Sequence, residues 1–439
     1  MSRPRRASSN LGGDPRGDTS APALATMTKR SHSQPSAKER ELKPHSKRRK
    51  ARSAFRKWMQ ISTRHTWLNP LVIMVVILAA YFINPGPQNP LHKAIFLSYP
   101  LGPDYEGGPN MYGKGKADIA FVAFYTVVLS FTREFLMQRM IRPLALKCGI
   151  KKKAKQARFM EQVYTAIYFS IFGPFGLYVM SRGPLWYFNT TAMFEGFPHR
   201  KHEALFKAYY LLQAAYWAQQ AIVLMLQLEK PRKDFKELVL HHIVTLALII
   251  LSYRFHFTHM GIAVYITHDI SDFFLATSKT LNYLDSPIVG PYFGLFMVVW
   301  IYLRHYINLQ ILWATLTEFR TVGPYELDWE TQQYKCWISQ IITFALLASL
   351  QAVNLFWLFL ILRIAKNYVF ANIVADERSD DEDEDEEEEQ QQHDTKSNGK
   401  LVGDADAQIN GTTPAVLING EPVEGQFNQD GVRARRRKG

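Results

Sequence analysis

The sequence predicts an all-α polytopic membrane protein with about eight transmembrane helices and disordered polar termini. Eight apolar stretches each come close to the ~20 residues that a helix needs to cross a bilayer. Clusters of Lys and Arg lie beside these stretches, as they do in the loops of multi-pass proteins. Hydrophobic residues make up 47% of the 439 residues, yet the mean hydropathy is only -0.15, because very polar ends offset a very apolar middle.

The first 57 residues form a basic arm that we expect to be disordered and cytosolic. Ser, Pro, Lys and Arg dominate this arm, so it cannot bury enough apolar surface to offset the entropy of the chain. Arg3 and Arg5 precede Ser8 in an R-x-R-x-x-S pattern, which is typical of a basophilic kinase site but arises as easily by chance in such a segment. Phosphorylation at Ser8 is therefore a hypothesis.

The middle of the chain carries the predicted spans. They cover residues 67–83, 117–136, 159–180, 206–228, 238–257, 259–284, 288–316 and 337–364. Residues 58–116 are expected to supply the first transmembrane helix and a lumenal connection. The Pro/Gly-rich part of that connection, 85–116, contains one predicted interfacial helix at about 91–97.

The basic residues between spans predict the orientation. They concentrate in the loops after the second and fourth stretches, and Lys and Arg favour the cytosolic side. With eight spans, both termini are then cytosolic, and Asn189 in the sequon N-T-T is a lumenal candidate for glycosylation. The loop residues that could bind an acidic co-substrate are Lys151, Lys152, Lys153, Arg232 and Lys233, although the orientation bias alone also explains them.

The last segment, residues 376–439, begins with a run of Asp and Glu and is predicted to be a disordered acidic cytosolic tail. Ser379 lies within this run and is a candidate for an acidophilic kinase. The formal net charge of the whole chain is +13. Because no basic patch alternates with aromatic residues on a foldable domain, we expect contacts with anionic membrane lipids and no nucleic-acid partner.

Ionisable residues interrupt the fifth and sixth apolar stretches, where each costs a few kcal/mol or more at membrane depth. They are His241, His242, His268, Asp269, Asp272 and Lys279. On a helix, His268 and Asp272 are i,i+4 neighbours, Asp269 and Asp272 are i,i+3 neighbours, and Lys279 lies two turns further on, so one helix face is polar. Adjacent His241 and His242 point about 100° apart, so only one of them faces the centre of the cluster.

This cluster predicts an intramembrane site of one of three kinds. A His beside carboxylates serves as a general base or nucleophile, which we favour. Three His and two Asp could instead hold Zn or Fe, or form a structural polar network. Arg304 and His305 form a second charged group in the seventh stretch, and we expect pairing with a buried acid rather than substrate contact.

The order H-H-x-x-T-x-x-L, then S-Y, then H-D-x-S-D-x-x-L-x-x-x-K-x-x-x-Y, between His241 and Tyr283, resembles the signature of the ceramide synthases, which are TLC-domain membrane proteins. The segments W-I-Y-L-R-H (300–305) and T-Q-Q-Y-K-C-W-I-S (331–339) are similar to the fungal branch. Residues 85–116 also hold no homeobox-like insert. The resemblance covers roughly residues 57–378 and implies a TLC-type bundle that encloses the active site, within a catalytic domain of residues 117–375.

The resemblance further implies an endoplasmic-reticulum enzyme that transfers a fatty acyl group, of very long chain in the fungal type, from acyl-CoA to the amine of a sphingoid base such as sphinganine or phytosphingosine. Acyl-CoA is then a co-substrate, and no cofactor or metal is permanently bound. A small single-span accessory subunit and a dimer, with itself or with a paralogue, are implied as partners. The family's catalytic residues carry over to His241, His242, Asp269 and Asp272.

Around these four residues we expect supporting roles for His268, Ser271, Lys279, Arg304 and His305. Two other functions fit the same sequence. A non-catalytic TLC-domain protein that binds lipid or assists translocation would need the fold but not the His/Asp cluster. A metal-dependent membrane hydroxylase or desaturase would need a metal.

Overall fold

A computed structural model describes residues 47–226, 233–371, 417–418 and 421–422. The predictions made for Ser8, Arg232 and Ser379 lie outside these ranges, as do most of the basic arm and the acidic tail. The chain divides into two compact units, residues 1–64 and 65–439. Helix α1 (Lys47–Arg64) is the described part of the first unit, and the elements below belong to the second.

The described part of the second unit is built almost entirely from helices, and each of the eight predicted apolar stretches is helical over most of its described residues. The helices are α2 (Leu68–Ile83), α3 (His92–Ile95), α4 (Ala117–Leu136), α5 (Arg142–Lys147), α6 (Lys153–Ser181), α7 (Ala204–Met225), α8 (Phe235–Arg254), α9 (Thr258–Tyr283), α10 (Val289–Ile301), α11 (Asn308–Thr321) and α12 (Trp337–Ala371). The all-α class of a polytopic membrane protein is therefore confirmed.

Within the described ranges, five helices are long and apolar enough to cross a membrane, or six if α2 is counted with the helix before it. This number is below the predicted eight. Helix α2 has only 16 residues. Helices α7 and α9 carry buried polar side chains such as Lys207, Gln213 and Asp269, which lower their mean hydropathy and which the surrounding helices cover.

Two widened helical turns interrupt long helices. Met137–Ile141 joins α4 to α5, and Tyr302–Ile307 joins α10 to α11. Such π-type turns are rare and occur often at functional sites, because they change the direction in which side chains point. The second turn contains Arg304 and His305, both of which are buried.

The connection 85–116 holds more order than predicted. Its short helix α3 lies within the predicted 91–97, but β1 (Pro100–Pro103) and β2 (Asn110–Tyr112) also form an antiparallel sheet with β3 (His202–Glu203). Buried Lys207 fixes this sheet to the bundle through the carbonyls of Ser98 and Gly113, both at 2.8 Å, and through Asp118. Further along the chain, β4 (Leu417–Ile418) pairs with β5 (Glu421–Pro422).

Helices α6 and α9 pack closely along their length and form the centre of the main core. Their close approach depends on Gly176, because a Cβ there would lie 2.5 Å from the Tyr209 hydroxyl and 2.8 Å from a side-chain carbon of Ile266. A second core cluster, around Phe296, Trp300 and Trp357, fills the space between α10 and α12. These two clusters surround the polar residues of α8 and α9.

Candidate active site

A polar cavity of about 210 Å³ opens where α6 and α8 begin and where α7 and α9 end. Helices α6 to α10, α12 and the π-type turn between α10 and α11 contribute to its wall. The ionisable residues and the indoles of this wall are Glu161, Trp217, Asp234, His241, His242, Asp272, Lys279, Trp300, Arg304 and Trp357. Three of the four predicted catalytic residues therefore face one cavity.

A second cavity of about 240 Å³ extends along α8, α9 and α12, away from the polar cavity. Its lining is mostly aliphatic and aromatic, and we call it the apolar cavity. It reaches from His241 to the connection between α11 and α12, where Trp329 and Tyr334 line it. The aliphatic lining residues on the three helices include Leu248, Ile249, Met260, Val264, Ile342, Leu346, Leu347 and Leu350.

His241 and Trp217 line both cavities, so the imidazole stands at the boundary between a polar and an apolar compartment. The His241 side chain is buried, and among the described residues its Nδ1 atom has no hydrogen-bond partner. Its Nε2 atom lies 3.5 Å from the Thr245 hydroxyl, one turn further along α8. The ring is therefore held mainly by its neighbours, and Nδ1 is a buried atom without a hydrogen-bond partner among the described residues.

Two indoles hold that ring. The Trp217 and Trp357 rings contact His241 edge to face, with centroid distances of 5.7 and 5.1 Å. His242 is half-buried, and its Nδ1 donates to the carbonyl of Leu238 at 2.9 Å, as an i−4 bond along the helix. The two histidine rings are nearly perpendicular, at 84°. His241 is thus the buried member of the pair.

Arg304 is the centre of the charged network behind the polar cavity. It donates to Asp272 Oδ1 at 2.5 Å, to the Ser271 hydroxyl at 2.6 Å and to Asn354 Oδ1 at 3.2 Å. A further bond reaches the His268 carbonyl at 3.3 Å. The guanidinium also lies over the Trp300 ring, 4.1 Å from its centroid. Arg304 thus pairs with an acid, Asp272, which is half-buried at the polar cavity.

Asp269 lies behind the cavity wall rather than on it. It is fully buried, and its Oδ2 atom accepts hydrogen bonds from the Tyr209 hydroxyl, at 2.8 Å, and from the amide of Gln213. Both donors come from α7, so Asp269 connects α9 to α7. Gln213 makes the interhelical hydrogen bond that is usual for an amide in a membrane helix.

The remaining supporting residues fall into two groups. Lys279 lines the polar cavity, whereas His268 lines the apolar one. His268 Nδ1 donates to the Val264 carbonyl at 2.8 Å, and its Nε2 accepts from the Asn354 amide at 3.2 Å. His305 lies further back, where its Nδ1 accepts from the amide of Gln351 at 2.7 Å. Asn354 thus joins His268 to Arg304.

The four described residues among the predicted basic contacts for an acidic co-substrate lie outside the cavity wall. Lys151, Lys152, Lys153 and Lys233 are exposed and do not line the polar cavity. Asn189 is also exposed, in a turn before α7. No three or more His, Cys, Asp and Glu residues within residues 47–226 and 233–371 are grouped so that they could hold a metal ion.

Several residues around the site carry little or no signal in the sequence. Trp217 and Trp357 lie in apolar runs, where an indole is indistinguishable from ordinary packing. Tyr209 and Asn354 come from α7 and α12, remote in sequence from the His/Asp motif that they contact. Gln213 and Asn354 do carry one signal, as amides at membrane depth, but the sequence does not identify their partners.

Comparison with known proteins identifies the family of this chain. A family model described as the TLC domain matches residues 158–363, which contain every residue of the two cavities described above. The sphingosine N-acyltransferase-like protein FUM17 of Gibberella moniliformis is 53% identical over 341 residues, which are 76% of this chain and 88% of the relative. Sphingosine N-acyltransferase lac1 of Schizosaccharomyces pombe is 52% identical over 320 residues, with 73% and 82% covered.

Ceramide synthase LAG1 of Saccharomyces cerevisiae is 48% identical over 382 residues, which are 86% of this chain and 92% of the relative. The similarity therefore extends over nearly the whole length of these relatives, beyond the matched domain. The chain belongs to the fungal sphingosine N-acyltransferase, or ceramide synthase, family of TLC-domain membrane enzymes.

Proposed function

We propose that this enzyme transfers a fatty acyl group from acyl-CoA to the amine of a sphingoid base, sphinganine or phytosphingosine, to give dihydroceramide or phytoceramide. The observation that carries the proposal is the position of His241 in the shared wall of a polar and an apolar cavity. A thioester has the same division, with a polar nucleotide-linked thiol on one side of its carbonyl and an alkyl chain on the other.

The apolar cavity suits the acyl chain. Its lining on α8 extends from His241 to Ser252, and these eleven residue steps span about 17 Å at 1.5 Å per residue. Each methylene that leaves water for such a lining contributes about 0.8 kcal/mol, so a longer chain binds more tightly until the cavity is full. This length supports a preference for long acyl chains, and a preference for very long chains is proposed from the family resemblance alone.

The polar cavity suits the reacting groups. The sphingoid amine enters as an ammonium ion and must lose a proton before its nitrogen attacks the thioester carbon. His241 accepts that proton, a C–N bond forms and the C–S bond breaks, and the nitrogen loses a second proton as the amide forms. One of the two protons passes to the departing CoA thiolate and the other to solvent. In a two-step route, His241 Nδ1 first takes the acyl group as the CoA thiolate leaves, and the amine then attacks the acyl-imidazole to give the amide and free His241. Nδ1 has no hydrogen-bond partner among the described residues, which is compatible with both routes.

The other residues of the site have positioning and electrostatic roles in this proposal. Asp272 is the predicted catalytic carboxylate that lines the polar cavity, and Arg304 fixes its orientation. Asp269 holds α9 against α7, and His242 supports His241 from the adjacent position. Lys279, at the outer part of the polar cavity, is placed to attract phosphate groups of CoA, together with the exposed Lys151, Lys152, Lys153 and Lys233.

The proposal places the enzyme in the endoplasmic-reticulum membrane with both termini cytosolic. This orientation follows from the basic loops, and it puts the polar cavity on the side where CoA is present. A small single-span accessory subunit and a dimer remain proposed partners. Glycosylation at Asn189 and phosphorylation at Ser8 and Ser379 remain proposed modifications, and the exposure of Asn189 supports the first.

The direct test is synthesis by the purified protein, in detergent and with the accessory subunit, from sphinganine and acyl-CoA of several chain lengths. We expect N-acylsphinganine from the wild type and none from His241→Ala or His242→Ala, both of which should still insert into membranes. Trp313→Phe is the control, because Trp313 is 66% exposed on α11 and lines neither cavity. Lipid binding without any product would instead indicate a non-catalytic TLC-domain protein.

A further inference from the structure

Asp234, at the start of α8, bonds to a distant side chain rather than to the backbone of its own helix. Asp234 occupies the N-cap position of this helix, where Asp side chains commonly accept a hydrogen bond from the first backbone N–H groups. The Asp234 side chain makes no such bond. Its Oδ2 atom instead accepts a hydrogen bond from Trp357 Nε1, at 3.1 Å, across 123 residues of sequence.

The two partners are buried at the edge of the polar cavity. Asp234 is 6% exposed and Trp357 is 8% exposed, and both line that cavity. The indole N–H needs a partner when it is buried, and Asp234 supplies it. The bond therefore fixes the Trp357 ring in one orientation, between α8 and α12.

The Trp357 ring, which this bond orients, packs against His241. The two ring centroids are 5.1 Å apart at an interplanar angle of 64°, which is the shortest of the three ring contacts that His241 makes within the described residues. His241 has no strong hydrogen bond that orients its imidazole: the bond to Thr245 is 3.5 Å long, and Nδ1 has no partner in the part of the chain that the structure describes. Its orientation must therefore come from packing.

We propose that Asp234 and Trp357 are positioning residues, which act together to hold the His241 imidazole in its reactive orientation. A base is usually oriented by a carboxylate that bonds to its ring directly. Here the carboxylate acts through an indole and bonds to neither ring nitrogen of His241. This inference rests on the proposed role of His241 in acyl transfer.

The test uses the full-length enzyme with its accessory subunit. Trp357→Phe keeps an aromatic ring but removes the N–H, Asp234→Ala removes the acceptor, and Asp234→Asn keeps a carbonyl oxygen that can accept the same bond. Because a misplacement of 1 Å can cost about 10²-fold in rate, we expect Trp357→Phe and Asp234→Ala to lower kcat by roughly tenfold to a hundredfold, with unchanged KM for both substrates. Asp234→Asn should retain most of the wild-type kcat.

The outcomes against the proposal are distinct. Wild-type kcat in Asp234→Ala would overturn it, as would an equal loss in Asp234→Asn, since the charge rather than the indole bond would then matter. A fall in kcat that is accompanied by a lower melting temperature would indicate a structural role only. Trp313→Phe, which removes the same N–H from an exposed indole, should change neither kcat nor melting temperature.

A second measurement does not depend on activity. Diethyl pyrocarbonate modifies neutral imidazole nitrogens, and peptide mass spectrometry reports the rate at His241 itself. We expect this rate to rise several-fold in Trp357→Phe and Asp234→Ala relative to the wild type, because the ring is no longer held. An unchanged rate would overturn the positioning role even if the wild type shows no acyltransferase activity, in which case the proposed function would fail separately.

Discussion

Removal of the Arg304 guanidinium should destabilise the protein strongly. Arg304 is 2% exposed and donates to Asp272, Ser271, Asn354 and the His268 carbonyl. Breaking a buried ion pair by the loss of one partner costs about 3–5 kcal/mol, because the other charge stays buried without compensation. Asp272 is 19% exposed at the polar cavity, so the lower value of about 3 kcal/mol applies here. At about 2–4 °C per kcal/mol, Arg304→Met should lower the melting temperature in detergent by roughly 6–12 °C.

A matched surface pair gives the control. Arg182 bonds Glu203 at the same 2.5 Å, but these side chains are 40% and 22% exposed. Exposed pairs contribute about 0–1 kcal/mol, so Arg182→Met should shift the melting temperature by only a few degrees. Any larger effect of Arg304→Met then measures burial rather than the loss of a cation.

The double variant Arg304→Met with Asp272→Leu tests the cause. With both charges removed, it should melt above the single variant, although below the wild type, since the Ser271 and Asn354 side chains each lose a donor. Circular dichroism or intrinsic fluorescence on the same detergent preparation measures all four proteins. A single variant within about 1 °C of the wild type, or a double variant that is less stable than the single one, would refute the reasoning.

Three further predictions concern other parts of the chain. Gly176→Ala should displace the Tyr209 hydroxyl, which a Cβ would approach to 2.5 Å, and should lower the melting temperature; unchanged thermal stability would contradict the close approach of α6 to α9. Burial lowers the pKa of His256, in the turn after α8, to about 3. The unfolded state, with a pKa near 6.5, then binds the proton first, so the full stability holds above pH 6.5 and falls by up to about 1.4 kcal/mol per pH unit below it. The melting temperature should therefore decrease from pH 7 to pH 5, and less steeply in His256→Gln; an equal slope in both proteins would assign the effect to other groups. Thr343→Trp, on the α12 wall of the apolar cavity, should shift the products toward shorter acyl chains, as measured by mass spectrometry of a competition assay, and an unaltered chain-length profile would place the acyl chain elsewhere.

The helices and the polar stripe on α9 follow from the sequence, because both depend on spacing within one element. Apolar runs of about 20 residues predict helices, and the i,i+4 relation of His268 and Asp272 predicts one polar face. The structure adds that the two side chains border different cavities, His268 the apolar one and Asp272 the polar one. Periodicity cannot supply this distinction, since it depends on α12 and on the turn that carries Arg304.

Contacts between remote elements account for most of what the sequence does not predict. The partner of His268 Nε2 is Asn354, 86 residues away, and the partner of Trp357 is Asp234, 123 residues away. The local sequence around each of these side chains does not identify its partner. The three-stranded sheet was missed for a different reason: its strands have two to four residues, too few for an alternating pattern to be recognised.

In the described part of the chain, fewer helices than the predicted eight pass as membrane spans on length and hydropathy. The reason is that polar side chains lower the hydropathy of a helix even when other helices cover them. In α9, Ser271, Asp269 and His268 face other helices, so the polar stripe is hidden from lipid although it lowers the hydropathy of the segment. In a bundle of this kind, a helix can lie at the centre and still have a mean hydropathy too low for a typical membrane span. The polar residues that lower the hydropathy of α9 are the ones that bond to Tyr209, Arg304 and Asn354 around the site.

The central claim is that the acyl chain occupies the apolar cavity while its thioester lies against His241. Photolabelling with an acyl-CoA that carries a diazirine at the chain terminus measures this directly, with peptide mass spectrometry to locate the label. We predict labels on the apolar-cavity residues of α12 and the segment before it, such as Tyr334, Ile342 and Leu346, and competition by unlabelled acyl-CoA. Labels confined to lipid-facing residues such as Val298 and Phe359, or labels that excess acyl-CoA does not reduce, would contradict the account.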